Sequence, residues 1–422
     1  MKFYEQDNFL LELSEKNNRL NIFNKICNEC RLIAQRYQDI GLKYIELPLN
    51  ITKYKLQLKI PNLYLSIKNR NNNLLTWFLA AQHNEYNGTF GILDFFLSSE
   101  NEVRQELKDY LNITNGALLF TIIGNPVGFL FPSKENKYGY FAQIHSQVNM
   151  NRYWDKILLP SKLKRNQKFI SKINLTIGSF LNSLIKFNNQ SNSTIIAIDF
   201  HETSLIVKDL QEIKNNFSQK LILDDWVKKF IIFALLKEFK LEYNEIKLFD
   251  NEINIPEKNK SDILPNIDLN KPIKMMEIVP KNLYNYEDMK KYLNKFYKSI
   301  CQEGYYFFCY GNKIGLDLSH YLSKRLKEDY FPSELFKDQN TFFLPYKKIG
   351  HLSRTSYYNP NLHAIEIEMS KIFYNLEEIY MKLKRNINYK MKLNSIFKRN
   401  YNITKDSIRY SLNFCSEKLN TE

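Results

Sequence analysis

Four short runs constrain this chain more than any other feature: Leu74 to Ala81, Ala117 to Ile123, Thr194 to Phe200 and Leu362 to Met369. Each is the length of a strand and rich in apolar residues, and helix-like stretches such as Phe90 to Leu111 lie between them. Apolar strands alternating with helices predict a sheet covered on both faces. The expected fold class is therefore α/β: a three-layer α/β/α sandwich around a mixed, mostly parallel sheet. In such folds chemistry collects at the carboxyl ends of the strands. The polar clusters of this chain stand just after the apolar runs, where a site would need them.

The chain divides around that pattern. The first forty residues space their apolar side chains as an amphipathic helix, and residues 43 to 68 alternate as strands do. Residues 1–69 are therefore expected to be a lead-in packed on a main domain spanning 70–382. Within it, residues 205–340 are expected to contain an insertion before the last strand. The stretch from 251 to 272, with three prolines and little periodicity, reads as a loop, an insertion boundary or a lid. The basic segment 383–422 is predicted to be a solvated helix or tail.

With 422 residues, 44% of them hydrophobic, the chain can bury a substantial core. Sixty Lys and Arg against 45 Asp and Glu leave a net charge of +15, which suits an anionic partner without choosing one. Asn, Lys, Tyr and Phe are all frequent, so compositional bias is an alternative source of part of that charge. The basic residues are scattered and most aromatics hold core-like spacing, so nucleic-acid binding is not expected. Five cysteines in so long a chain give no disulfide framework and fit a reducing compartment. Cys27 and Cys30 form a CxxC, but Ile22, Phe23, Ile26 and Ile33 share their helical spacing, and both thiols read as one buried helix face. Neither a signal peptide nor a membrane span is visible, so a cytoplasmic protein is expected. Oligomeric state is not readable.

Six histidines allow each to be weighed. His83 and Glu85 follow the first run, in Ala80-Ala81-Gln82-His83-Asn84-Glu85-Tyr86-Asn87-Gly88, and His201 follows the third, in Asp199-Phe200-His201-Glu202-Thr203. Two imidazoles and a carboxylate are a common ligand set for catalytic zinc. His145, His320, His351 and His363 read as surface or packing residues. Phosphate-binding loops, Gly-x-Gly-x-x-Gly and Gly-x-Ser-x-Gly are absent, which argues against an ordinary nucleotide-binding enzyme or serine hydrolase.

Three further fragments complete a pattern: Ile123-Gly124-Asn125-Pro126, the pair Asn151-Arg152, and the run from Leu362 to Tyr374. In this order, over roughly residues 70 to 380, they resemble the zinc carboxypeptidase superfamily. The aspartoacylase and succinylglutamate desuccinylase branch is included in that likeness. The form Glu368-x-x-Lys371-x-x-Tyr374 is especially similar to N-formylglutamate amidohydrolases. The resemblance implies Zn2+ held by His83, Glu85 and His201, with Glu368 as general base and Glu366 as the fallback. It also implies that Asn151 and Arg152 bind a substrate carboxylate, Arg152 counting among the catalytic residues, with Arg354 as a second candidate.

One departure bears on the metal. The family spaces its first motif His-x-x-Glu, whereas three residues before Glu85 stands Gln82. If Gln82 takes the ligand position, zinc affinity falls, because an amide oxygen is a poor zinc ligand beside imidazole. If the loop shifts by one residue, His83 and Glu85 both reach the metal, and that shifted site is the expectation. The implied function is a zinc-dependent hydrolase cleaving an amide bond in a small anionic or peptide substrate, such as a carboxylate-bearing peptide or an N-acyl amino acid. The alternative is a catalytically inactive carboxypeptidase-like protein that binds a peptide or protein partner.

Overall fold

A computed structural model describes residues 19–51, 56–67, 73–82, 87–130, 154, 158, 172–185, 193–203, 246–249, 275–278, 306–330, 341–345, 352–370 and 387–418. Ten strands are described: β1 (Lys43–Ile51), β2 (Leu56–Ser66), β3 (Leu74–Leu79), β4 (Ala117–Thr121), β5 (Thr194–Thr203), β6 (Ile246–Phe249), β7 (Met275–Ile278), β8 (Tyr306–Tyr310), β9 (Thr341–Pro345) and β10 (Leu362–Ser370). Eight form one sheet in the order β1-β2-β4-β3-β5-β10-β8-β9, and β6 pairs only with β7. The centre, β4-β3-β5-β10, is parallel, while β1, β2 and β8 are joined to their inner neighbours in antiparallel fashion.

Period-2 alternation sends successive residues of each strand into two cores. On one face, Phe78 and Ala80 of the β3 segment, Ile196, Ile198 and Phe200 of β5, and Ile365, Ile367 and Met369 of β10 meet a thick helical layer. That layer comprises α1 (Arg19–Arg36), α2 (Asn87–Leu97), α3 (Glu100–Thr114), α6 (Lys313–Tyr330) and α8 (Ile387–Lys418). On the other face, Leu75, Trp77, Leu79, Ile195, Ala197, Leu362 and Ala364 meet a thinner layer built from α5 (Lys172–Ile185), the start of α7 (Leu352–Tyr358), Trp154 and Leu158. The short α4 (Pro126–Leu130) touches both cores. The expected three-layer arrangement is thus present.

Two expectations need revision. The basic C-terminal segment is a helix, but it is not solvated: Tyr401, Ile403, Ile408, Leu412, Phe414 and Cys415 of α8 are buried in the thick layer. Its apolar face packs while Lys405, Asp406 and Arg409 stay half-buried at its margin, Arg409 pairing with Glu102 and Glu106 of α3, which a charge count alone cannot reveal. The strands of the lead-in are part of the central sheet rather than packed upon it. Within 205–340, β8 and α6 belong to the main sheet and its helical layer. The Pro-rich stretch 251–272 lies outside the described residues.

Cys27 and Cys30 sit on the inner face of α1 with Ile22, Phe23, Ile26 and Ile33, all buried, and burial pushes both thiols up. They are core residues. No helix among the described residues is long and apolar enough to cross a membrane.

Candidate functional site

The site follows from extending two strands one step beyond their apolar segments. On β5, Ile195 and Ala197 point into the thin layer, so Asp199 and His201 continue on that face. On β10, Leu362 and Ala364 are followed on the same face by Glu366 and Glu368. The parallel register sets Glu366 beside Asp199 and Glu368 beside His201. Four ionisable side chains therefore share one face at the carboxyl ends of two central strands. Exposure grades upward along each: Asp199 and Glu366 are 0% exposed, His201 2% and Glu368 7%.

Buried charge demands partners. His201 Nε2 lies 2.8 Å from Asp199 Oδ2, and Gln82 Nε2 donates to the same oxygen. The two nitrogens converge on it 3.3 Å apart. Burial pushes the Asp199 carboxyl up to about 6, opposed by the His201 imidazole and the Gln82 hydrogen bond and reinforced by the charge of Glu366. Glu366 accepts hydrogen bonds from the Ser353 hydroxyl at 3.0 Å and from the Ser353 N–H at 3.3 Å. It is thereby tied to the start of α7. Glu368, not its fallback, holds the position next to His201 at the more open end.

Gln82 is positioned by its own chain and by α4. Ala81 adopts a left-handed φ of 53°, unusual for a residue with a Cβ, and this turns the chain at the end of β3. Asn125 secures the turn: its N–H donates to Ala81 O at 2.8 Å and its Nδ2 to Gln82 O at 3.0 Å. The same Asn125 caps α4, its Oδ1 accepting from Gly128 N at 2.8 Å, and Pro126 occupies the first helical position. Gly124 lets the chain pass closely here: a Cβ would crowd Ala80 O at 3.1 Å and push aside the tip of Leu79, 2.7 Å away. The Asn-Pro motif therefore acts as a clamp on Gln82. The Gln82 side chain is anchored at its other end by Trp154 Nε1, which donates to Oε1 at 2.9 Å. Trp154 stands edge-on to Trp77 at 5.5 Å.

Of the expected site residues, His201 and Glu368 are adjacent. His83, Glu85, Asn151 and Arg152 lie outside the described residues. Arg354 lies on α7, its guanidinium 5.5 Å over the Tyr358 ring, one turn along the same helix. Two participants were not assigned roles from sequence. Trp154 orients Gln82, and Glu202 Oε1 accepts the Asn87 N–H at the start of α2 at 2.6 Å, a carboxylate on a helix N-terminus. Their partners are remote in sequence, so no local pattern marks them.

The donor chemistry fits zinc at one position and opposes it at another. His201 has a carboxylate bonded to one ring nitrogen, the arrangement that orients a ligand imidazole; a metal on this ring would be taken by Nδ1. Gln82 presents an amide N–H2 to the same centre, which no cation accepts. Among the described residues, no three His, Cys, Asp or Glu side chains form a group able to hold a metal.

No protein-family model and no curated protein matches the sequence. Solved structures with a similar chain course include a protein from Shewanella amazonensis proposed to be a metallopeptidase, at 11% identity and a TM-score of 0.40, covering 91% of this chain and 90% of that one. Another proposed metallopeptidase, from Shewanella baltica, is 12% identical with a TM-score of 0.40 over 92% and 91% of the two chains. A metallo-carboxypeptidase from Burkholderia cenocepacia is 8% identical with a TM-score of 0.39, over 90% and 68%.

Proposed function

We propose that this protein is a hydrolase cleaving an amide bond in a carboxylate-bearing peptide or an N-acyl amino acid, at the carboxyl ends of β3, β5 and β10. The observation that carries this is Glu368 beside His201 in register, on one face and at the more open end of a buried polar row. In this role Glu368 takes a proton from the attacking water and delivers it to the leaving amine. His201, with His83 and Glu85, is the proposed zinc-binding set; a bound zinc supplies a Lewis acid that polarises the scissile carbonyl and acidifies water. Asp199 holds the His201 ring in place through Nε2. Arg152, assisted by Asn151, takes the substrate carboxylate, a role suited to the two parallel donors of a guanidinium. Arg354 remains a second candidate for that contact. The cytoplasmic setting expected from the sequence belongs to this proposal.

A second reading is favoured by Gln82, whose inward N–H2 supports a catalytically inactive carboxypeptidase-like protein that binds a peptide or protein. Zinc content of the purified, unchelated protein, measured with turnover of acidic peptides and N-acyl amino acids, separates the two. The hydrolase is expected to carry zinc that is lost in His201→Ala. Glu368→Gln should keep the metal and lose turnover by about a hundredfold or more. Turnover retained in Glu368→Gln would remove that residue from the mechanism, and a folded protein that takes no zinc would favour the binding protein.

A further inference from the structure

We infer that the outer face of α5 is a docking surface for a second copy of this chain, which it meets as an antiparallel, two-fold-related helix pair. The inference goes beyond the hydrolase reading and does not depend on it.

The sequence of α5 singles it out. From Ile173 to Ile185 it carries no charged residue, in a chain of which 25% is charged. Its inner side is taken up by the thin-layer core, through Ile173, Ile177, Leu181 and Ile185. The opposite side exposes Leu175, Ser179 and Ser183, Leu175 by 46%. A helix that only covers a core ordinarily turns charged residues to water. The helices α1, α3 and α6 do so, with Arg31, Lys108 and Lys324 exposed. Covering the α5 face also costs little in polar terms, because the Ser183 hydroxyl already donates to Phe180 O at 2.7 Å within the helix.

Charge selects the occupant. Two copies that each carry +15 repel most where their exposed Lys and Arg meet, and an anionic partner would be drawn to those same places. The α5 face presents no charge to repel a copy and none to hold an anion. Its pattern is also self-complementary. Leu175, Ser179 and Ser183 stand four residues apart and form one ridge, of the kind that packs into the groove of another helix. About a two-fold axis at Ser179, Leu175 of each copy lies against Ser183 of the other, a large side chain over a small one, as an isologous contact requires. Area limits the strength. The helix is about 21 Å long at 1.5 Å per residue, and one face of it falls short of the about 800 Å² per partner in a standard interface. The dimer is accordingly weak, with a Kd of about 10 μM to 1 mM.

Sedimentation equilibrium of the full-length protein at about 5 to 500 μM tests this, in low and in moderate salt, on wild type, Ser179→Arg and Leu32→Arg. Ser179 and Leu32 are both exposed, so neither substitution disturbs the core, and thermal melts confirm that each variant is folded. Wild type should move from monomer toward dimer mass as concentration rises, and added salt should tighten the association by screening like charges. Ser179→Arg sets two positive charges together at the crossing and should weaken it about tenfold or more, while Leu32→Arg on α1 leaves it within about twofold. A monomer at every concentration would overturn the inference. So would a dimer that survives Ser179→Arg, or one that only Leu32→Arg breaks. Either result leaves the hydrolase reading of the His201 pocket standing.

Discussion

A buried imidazole nitrogen without a hydrogen bond is a liability to the fold in acid. His363 points from β10 toward the thick helical layer; its Nδ1 is buried without a hydrogen bond, and burial lowers its pKa from 6.5 to about 4. The neutral ring is the folded form, so the unfolded chain binds the proton first as pH falls. Stability is complete above about pH 6.5 and declines toward pH 4, by about 2–3 kcal/mol for this group. Replacing it with a residue that does not titrate, as in His363→Asn, should flatten that part of the pH profile. Urea midpoints of the two proteins between pH 4 and 7 measure the difference, and parallel curves would refute the assignment. Neighbouring residues differ in how visible their roles were. Asp199 and His201 were readable because alternation along a strand fixes a shared face. Glu366 and Glu368 share that face too, and only the Ser353 contact separates a structural carboxylate from a candidate base. The orientation of Gln82 was not readable, because Trp154 and Asp199 reach it from 72 and 117 residues away.

Elements were legible where the local period and the local stop signal agree. The runs at 74, 117, 194 and 362 each became a strand of the sheet. The single helical stretch expected over Phe90 to Leu111 is two helices, broken where the Ser98 hydroxyl returns to Phe95 O at 2.7 Å and Glu100 and Glu102 enter the first turn of α3. Periodicity survives such a break because α2 and α3 both face the same core. How closely α2 approaches its neighbour is a different matter, invisible in one strand of sequence. Gly91 of α2 faces Thr404 of α8, and a Cβ there would overlap the threonine side chain. Alanine ordinarily favours a helix over glycine by about 1 kcal/mol. Here the overlap outweighs that gain, and Gly91→Ala is expected to destabilise the protein by about 1–3 kcal/mol, the usual cost of overpacking. A denaturant midpoint equal to or above wild type would show that α2 and α8 part without penalty.

At the scale of the molecule, alternation announced the three layers, but strand order lay beyond it. The sheet runs β1-β2-β4-β3-β5-β10-β8-β9, so β10, last in sequence, is inserted between β5 and β8, and this long-range pairing creates the Glu368–His201 adjacency. Whatever fixes β10 therefore supports the site, and α8 is part of that support. Its buried face meets α2, α3 and α6, and the Thr404 hydroxyl contacts Met369 of β10 at 3.3 Å. Tyr401, Ile403, Ile408, Leu412 and Phe414 are each at least nine-tenths buried. At about 1.5–3 kcal/mol for each large apolar side chain, their removal forfeits on the order of 10 kcal/mol, as much as a typical domain's entire stability. Ending the chain before residue 387 is accordingly expected to abolish cooperative folding, although it removes a segment that reads in sequence as a solvated basic helix or tail. Replacing Lys418, which is exposed at the end of α8, with glutamine should leave the melting temperature within a few degrees, because an exposed charge contributes about 0–1 kcal/mol. Thermal melts of the truncated and the lysine-substituted proteins check both statements. A truncated chain that melts cooperatively near the wild-type temperature would mean that the thick layer closes without α8, and that β10 is held by the sheet and α6 alone.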